Sequence, residues 1–292
     1  MASTSSNPLP TEPSMPKRNA SFEEHWNFHK TGIDYVMGVE PGSKIPSSYF
    51  TRLYTTVYNC LTPMGVMDRD LGERLYAELA RYFARHIVSI KLKLSNLQGT
   101  DLLRTYVLEW VQFTFSSNYL NQVSMYLNRC WVKAEQDRGS SKEIVYQVHA
   151  LALVQWRENI VRAIHEDDQR LTTAIIELVI QHPSNESAEG LLVTKVLDSF
   201  VALGFRETLA EKVNLRVYKK HFEEPFLEAL GLALRGSSSS ATSSQSITSE
   251  LASKYLEWAK ARFENDESLG QSYLHPSTEK HLELALRSPV AG

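Results

Sequence analysis

The chain of 292 residues has little of what marks a catalytic or covalently braced protein. Its two cysteines, Cys60 and Cys130, can build neither a disulfide framework nor a Cys-rich zinc site, and this usage fits a reducing compartment. No excess of one charge is present. The balance of 31 Lys+Arg against 34 Asp+Glu leaves a net charge of −3, without the basic surplus of a protein that grips phosphate backbones. No run approaches the roughly 18 apolar residues of a membrane-spanning helix, and the longest, Ala150 to Val154, belongs to an amphipathic pattern. There is no G-x-S-x-G, no glycine-rich phosphate loop and no Asn-Gly or Asp-Gly hairpin turn. These absences predict a soluble protein of the cytoplasm and nucleus, with no catalytic residue, no cofactor, and neither nucleic acid nor membrane as partner.

What is present is apolar spacing of three and four, the mark of helices that bury one face. Residues 1–20, with Pro8, Pro10, Pro13 and Pro16, read as a disordered tail. The first helix begins at Ser21, whose spacing to Glu24 is that of a capping box, and runs to about Met37. A second covers Ser47 to Leu61 and is stopped by Thr62-Pro63. The third spans Asp68 to Leu94 and the fourth Thr100 to Phe113. Ser116-Ser117 is expected to cap a fifth, which runs to Gln136 before the break at Gly139-Ser140-Ser141. Further helices are expected over Lys142 to Ile164, Gln169 to Gln181, Ser187 to Leu203, Asn214 to Leu234 and Ser249 to Tyr273. A Ser-rich flexible insert occupies 236–246. The pattern is all-α.

Few constellations suggest chemistry. His25 and His29, four apart in EEHWNFH, could in principle share a metal, but no third ligand is near in sequence and surface or half-buried histidines are expected. The same spacing keeps open a reading as an all-α metalloenzyme. His275, before Pro276, is expected to end a helix. Cys60 and Cys130 fall in apolar segments, where a free cysteine acts as a small buried hydrophobe.

The second and fifth helices stand apart. In SSYFTRLYTTVYNCL, Phe50, Tyr54, Val57 and Leu61 share a stripe that Tyr49, Leu53 and Tyr58 broaden, with Arg52 the one charge. In SSNYLNQVSMYLNRCWV, Leu120, Leu127 and Trp131 form one ridge and Tyr119, Val123 and Tyr126 another. Two apolar faces mean either complete burial or a surface held for a partner.

As a set, LYTTVYN (Leu53 to Asn59), FSSNYLNQVSMYLNRCWV (Phe115 to Val132), ALVQWR (Ala152 to Arg157), VYKKHFEEPFL (Val217 to Leu227) and SYLHPST (Ser272 to Thr278) resemble the N-terminal region of cullins of the SCF type, the cullin-one class. The resemblance runs from about Phe22 to Thr278. It implies an elongated array of cullin repeats, each a five-helix bundle: a first repeat over 21–138, which binds the adaptor, and a second over 139–275. Residues 276–292 would form an atypical or truncated tail. It also implies a non-catalytic scaffold whose second and fifth helices dock a BTB-fold (Skp-type) adaptor carrying an F-box protein, in the assembly of a cullin-RING ubiquitin ligase. The implied contacts are Phe50, Leu53, Tyr54 and Val57, with Tyr119, Leu120, Val123 and Tyr126; Leu127, Asn128 and Trp131 would hold the bundle. The part of a cullin that binds the RING-box protein has no match here, so that protein is not expected to bind this chain. A helical-repeat tether or trafficking scaffold with unrelated partners is the alternative.

Overall fold

The computed structural model describes residues 14–139, 144–166, 169–182, 187–204, 214–234, 253–261 and 274–287. The Ser-rich insert lies outside them, as does most of the helix expected from Ser249 to Tyr273. Every regular element among the described residues is helical, and none is long and apolar enough to cross a membrane. The helices are α1 (Phe22–Gly38), α2 (Ser47–Leu61), α3 (Arg69–Leu94) and α4 (Gly99–Val123). Next comes α5, built of Met125–Leu127, a π-helical turn Asn128–Val132 and Lys133–Arg138. α6 repeats that plan with Val148–Trp156, Arg157–Val161 and Arg162–Glu166. α7 (Arg170–Gln181) and α8 (Ala188–Ala202) follow. α9 again carries a π-turn, in the order Arg216–Tyr218, Lys219–Glu223 and Glu224–Leu234. α10 is 253–261 and α11 is Pro276–Arg287.

Local chemistry explains most of the boundaries. Ser21 Oγ accepts from the Glu24 N–H while Glu24 Oε2 accepts from the Ser21 N–H at 2.8 Å, a complete capping box. α2 has the bounds read from its periodicity. The Asp68 carboxylate accepts from the Leu71 N–H at 3.1 Å and starts α3. Gly139 closes α5 in the left-handed region, φ 58°, where glycine carries no Cβ penalty.

The expected cap at Ser116-Ser117 is corrected by the structure, because α4 runs straight through both serines. Their hydroxyls are engaged otherwise: Ser116 Oγ donates to the Val36 carbonyl of α1 at 3.0 Å, and Ser117 Oγ donates to the Thr114 carbonyl and lies 3.0 Å from His149 Nδ1. A hydroxyl bonded to the preceding turn or to another helix cannot cap its own. The interruption comes instead at Ser124, φ −89° and ψ 17°. α6 starts at Val148 rather than Lys142, where the Val148 and His149 N–H groups donate to the side-chain oxygens of Asn128 and Asn121. His275 opens a helix: its Nδ1 accepts from the Ser277 N–H at 3.2 Å, at the start of α11, while the residues before Leu274, where it was expected to end one, lie outside the described residues. That helix occupies part of the expected atypical tail.

The chain folds as two compact units, one of Met1–Phe83 with Gln112–Ala152, the other of Ala84–Val111 with Leu153–Gly292. α3 and α4 supply residues to each. In the first unit α1 and α2 cross closely at Gly32, where a Cβ would come 2.2 Å from Leu53 Cδ2. Below them Phe83 and Phe113 meet edge to face at 6.0 Å. Arg69 grips Glu135 with two parallel bonds of 2.9 and 3.1 Å and ties α3 to α5. These bonds hold the Glu135 carboxyl below its ordinary range.

The second unit centres on Tyr106, Trp110, Trp156 and Phe200. Trp156 meets Tyr106 at 5.5 Å and Trp110 at 5.2 Å. Trp156 Nε1 donates to the Tyr106 hydroxyl at 3.2 Å, and that hydroxyl pairs with Ser199 Oγ at 2.9 Å. Burial pushes the Tyr106 phenol up to about 12.

Candidate functional site

In the first unit, helical period and burial sort the eight expected contact residues into two layers. Leu53, Val57, Leu120 and Val123 are between 0 and 2% exposed. They form the floor beneath the rings of the two helices. On α2 the positions 53, 57 and 60 turn toward α1 and the core, whereas 50, 54 and 58 lie about 90° around the helix at 100° per residue. Leu61 is also sealed, though expected on the stripe of Phe50 and Tyr54, because the chain folds back over it and the Asp68 N–H donates to its carbonyl at 2.8 Å.

Phe50, Tyr54, Tyr119 and Tyr126 are half-buried and stand above this floor, together with Tyr58. Phe50 stacks on Tyr54, with centroids 6.2 Å apart and planes 13° from parallel, and meets Tyr119 edge-on at 5.8 Å. Tyr58 meets Tyr126 edge-on at 4.8 Å. Such contacts lie within the range favoured by the ring quadrupole. The result is a continuous aromatic ledge from α2 to the end of α4 and the start of α5. Tyr119 belongs to the last turn of α4, not to a separate fifth helix. Tyr58 is the ledge residue missing from the expected contacts, although its spacing of four from Tyr54 carries the signal.

The ledge is rigid from below. Leu127, Asn128 and Trp131 are buried, and Asn128 Nδ2 donates to the side-chain oxygen of Asn121 at 2.9 Å. The Tyr119 hydroxyl is buried without a hydrogen-bond partner, and burial, with Tyr35 nearby, pushes it up to about 12. Burial foremost, then the neighbouring Cys130 thiol, raises the Tyr126 phenol. Cys60 is buried and its thiol is pushed up to about 12, so it is no nucleophile at neutral pH. Cys130 is part-exposed rather than buried.

His25 and His29 depart from the expectation of surface or half-buried rings: each is 2% exposed. Positions 25, 29, 32 and 36 form one helical stripe, and the remainder of that stripe is core. The two rings share a small hollow with Trp26, Thr56, Val57, Cys60 and Leu75, and none of their nitrogens has a hydrogen-bond partner. Burial alone drives His29 down to about 4. Among the described residues no group of three or more His, Cys, Asp or Glu is arranged to hold a metal ion.

Comparison with known proteins places this geometry. The family model described as the Cullin alpha solenoid domain matches residues 26–289, beyond Thr278 and through α11. Cullin-1 of Dictyostelium discoideum is 27% identical over 91% of this chain and 35% of its own length. Cullin-1 of Schizosaccharomyces pombe is 29% identical with the same coverage, and cullin-1 of Caenorhabditis elegans 27% identical over 94% of this chain and 37% of its own. The chain thus spans little more than a third of these relatives. With the family model covering nearly all of its described helices, the chain belongs to the cullin family.

Proposed function

We propose that these residues act as a scaffold in ubiquitin ligase assembly, docking a BTB-fold, Skp-type adaptor with its F-box protein on the aromatic ledge and performing no chemistry of their own. The observation that carries the reading is the ledge itself: Phe50, Tyr54 and Tyr58 of α2 interlock with Tyr119 and Tyr126 and stay half-exposed over a sealed aliphatic floor. Rings held by their neighbours lose little freedom on binding, and aromatic anchors at the centre of an interface dominate its energy. The similarity to cullin-1 of three organisms supports the same role. Placement of two cullin repeats at 21–138 and 139–275 belongs to this reading as well.

The test is a sizing-column run of the purified chain with a Skp-type adaptor bound to an F-box domain, at micromolar concentration. A stable complex is expected. Tyr54→Ala with Tyr126→Ala removes two anchors of about 2 kcal/mol each, weakens affinity by about a thousandfold and leaves helicity unchanged by circular dichroism. A wild-type chain eluting apart from the adaptor overturns the proposal.

A further inference from the structure

The turn that follows α2 carries Met64, 88% exposed and the least covered large apolar side chain among the described residues, and two positions on Val66, at 70%. A single apolar side chain in water needs no explanation. This pair stands on a turn that is firmly built. The Gly65 N–H donates to the Thr62 carbonyl at 3.1 Å and the Asp68 N–H to the Leu61 carbonyl at 2.8 Å. Gly65 has φ 87°, which a side chain rarely adopts. From outside, Arg18 Nε and Nη2 both donate to the Thr62 carbonyl, at 3.1 and 3.0 Å.

This turn is continuous with the ledge. The Arg18 guanidinium carbon lies 5.9 Å from the centre of the Tyr58 ring, and Tyr58 packs on Tyr126. Two cations border this turn, which itself holds Asp68 and is followed by the exposed Asp70. Arg18 donates to the carbonyl and hydroxyl oxygens of Thr62, and Arg129, one turn beyond Tyr126, is exposed. Neither forms an ion pair with a carboxylate among the described residues.

We infer that turn 62–68 is a second foothold of the docking surface, on which Met64 and Val66 enter an apolar hollow of the adaptor complex while Arg18 and Arg129 meet carboxylates at its edge. The inference rests on the ledge reading and adds a specificity element to it. Apolar prongs act mainly on dissociation, whereas cations at a rim act on association and its salt dependence.

The experiment measures association and dissociation rates of the full chain with the same adaptor–F-box complex, at low and at physiological salt. Met64→Ser with Val66→Ser should weaken affinity by about tenfold through faster dissociation, with an unchanged melting curve because both side chains already stand in water. Arg129→Glu breaks no internal bond and should slow association several-fold and flatten its salt dependence. Both variants binding as the wild type, while the Tyr54→Ala, Tyr126→Ala chain does not, would sink this inference and leave the ledge standing. A wild-type chain that fails to bind sinks both. A dimer by light scattering that the Met64→Ser, Val66→Ser change renders monomeric would put a second copy on the turn and also overturn the inference.

Discussion

Both units hold a cluster of aromatic rings in edge-on contact at about the same spacing, yet the two clusters do opposite things. Around Trp156 in the second unit every ring is buried, and the Tyr106 hydroxyl has both a donor and a second hydroxyl to bond. On the first unit the rings of Phe50, Tyr54, Tyr58, Tyr119 and Tyr126 touch in the same way but stay half-exposed, and the Tyr119 hydroxyl has no partner. Ring contacts alone therefore do not distinguish a core from a surface; coverage does.

The comparison can be broken most directly by truncation. Trp156→Ala empties a sealed site and should lower unfolding free energy by about 3–5 kcal/mol. Tyr54→Ala, at the surface, should lower it by about 1 kcal/mol or less, and should weaken adaptor binding if the proposed docking holds. Urea titrations of both variants measure the contrast, and equal losses would show the ledge to be ordinary core.

Acid separates the units next. His29 is buried neutral, with its pKa driven from 6.5 down to about 4 by desolvation, and burial lowers His25 in the same direction. The unfolded chain takes up a proton near pH 6.5 that the folded chain refuses until about pH 4. Stability is therefore unaffected by this group above 6.5, falls between 6.5 and 4, and is lost by about 3 kcal/mol in full. Urea midpoints at pH 7, 6 and 5 should decline for the wild type, and His29→Leu should flatten the decline. A slope identical in both chains would count against His29 as its source.

The finest contrast compares two hydroxyls. Tyr106→Phe strands the Trp156 indole N–H and should cost about 1–3 kcal/mol. Tyr119→Phe removes a group that bonds to nothing and should stay within about 0.5 kcal/mol of the wild type, or stabilise. Thermal melts of the pair decide it.

Much of this was readable residue by residue. The capping box at Ser21 and Glu24, the bounds of α2 and the glycine stop at Gly139 depend on nearest neighbours along the chain, and the structure has all three. The site was legible only in outline. Both helices that carry the ledge stood out, but nothing in the sequence separated its aliphatic floor of Leu53, Val57, Leu120 and Val123 from the rings above it. Ser116 and Ser117 looked like caps because their hydroxyls were weighed against their own backbone; their partners, Val36 and His149, are far away in sequence. His25 and His29 misled for the same reason, since their covering residues Thr56, Cys60 and Leu75 come from other helices.

From its sequence alone this protein is all-α, interrupted at identifiable breaks and similar to cullins, because periodicity, caps and motif strings are local properties of the chain. Which apolar stripe faces inward was decided only when the helices packed. A period of 3.6 tells that a helix has faces, but coverage of a face depends on every neighbour that approaches it. In the first unit that packing sealed the aliphatic side of α2 and left its rings at the surface.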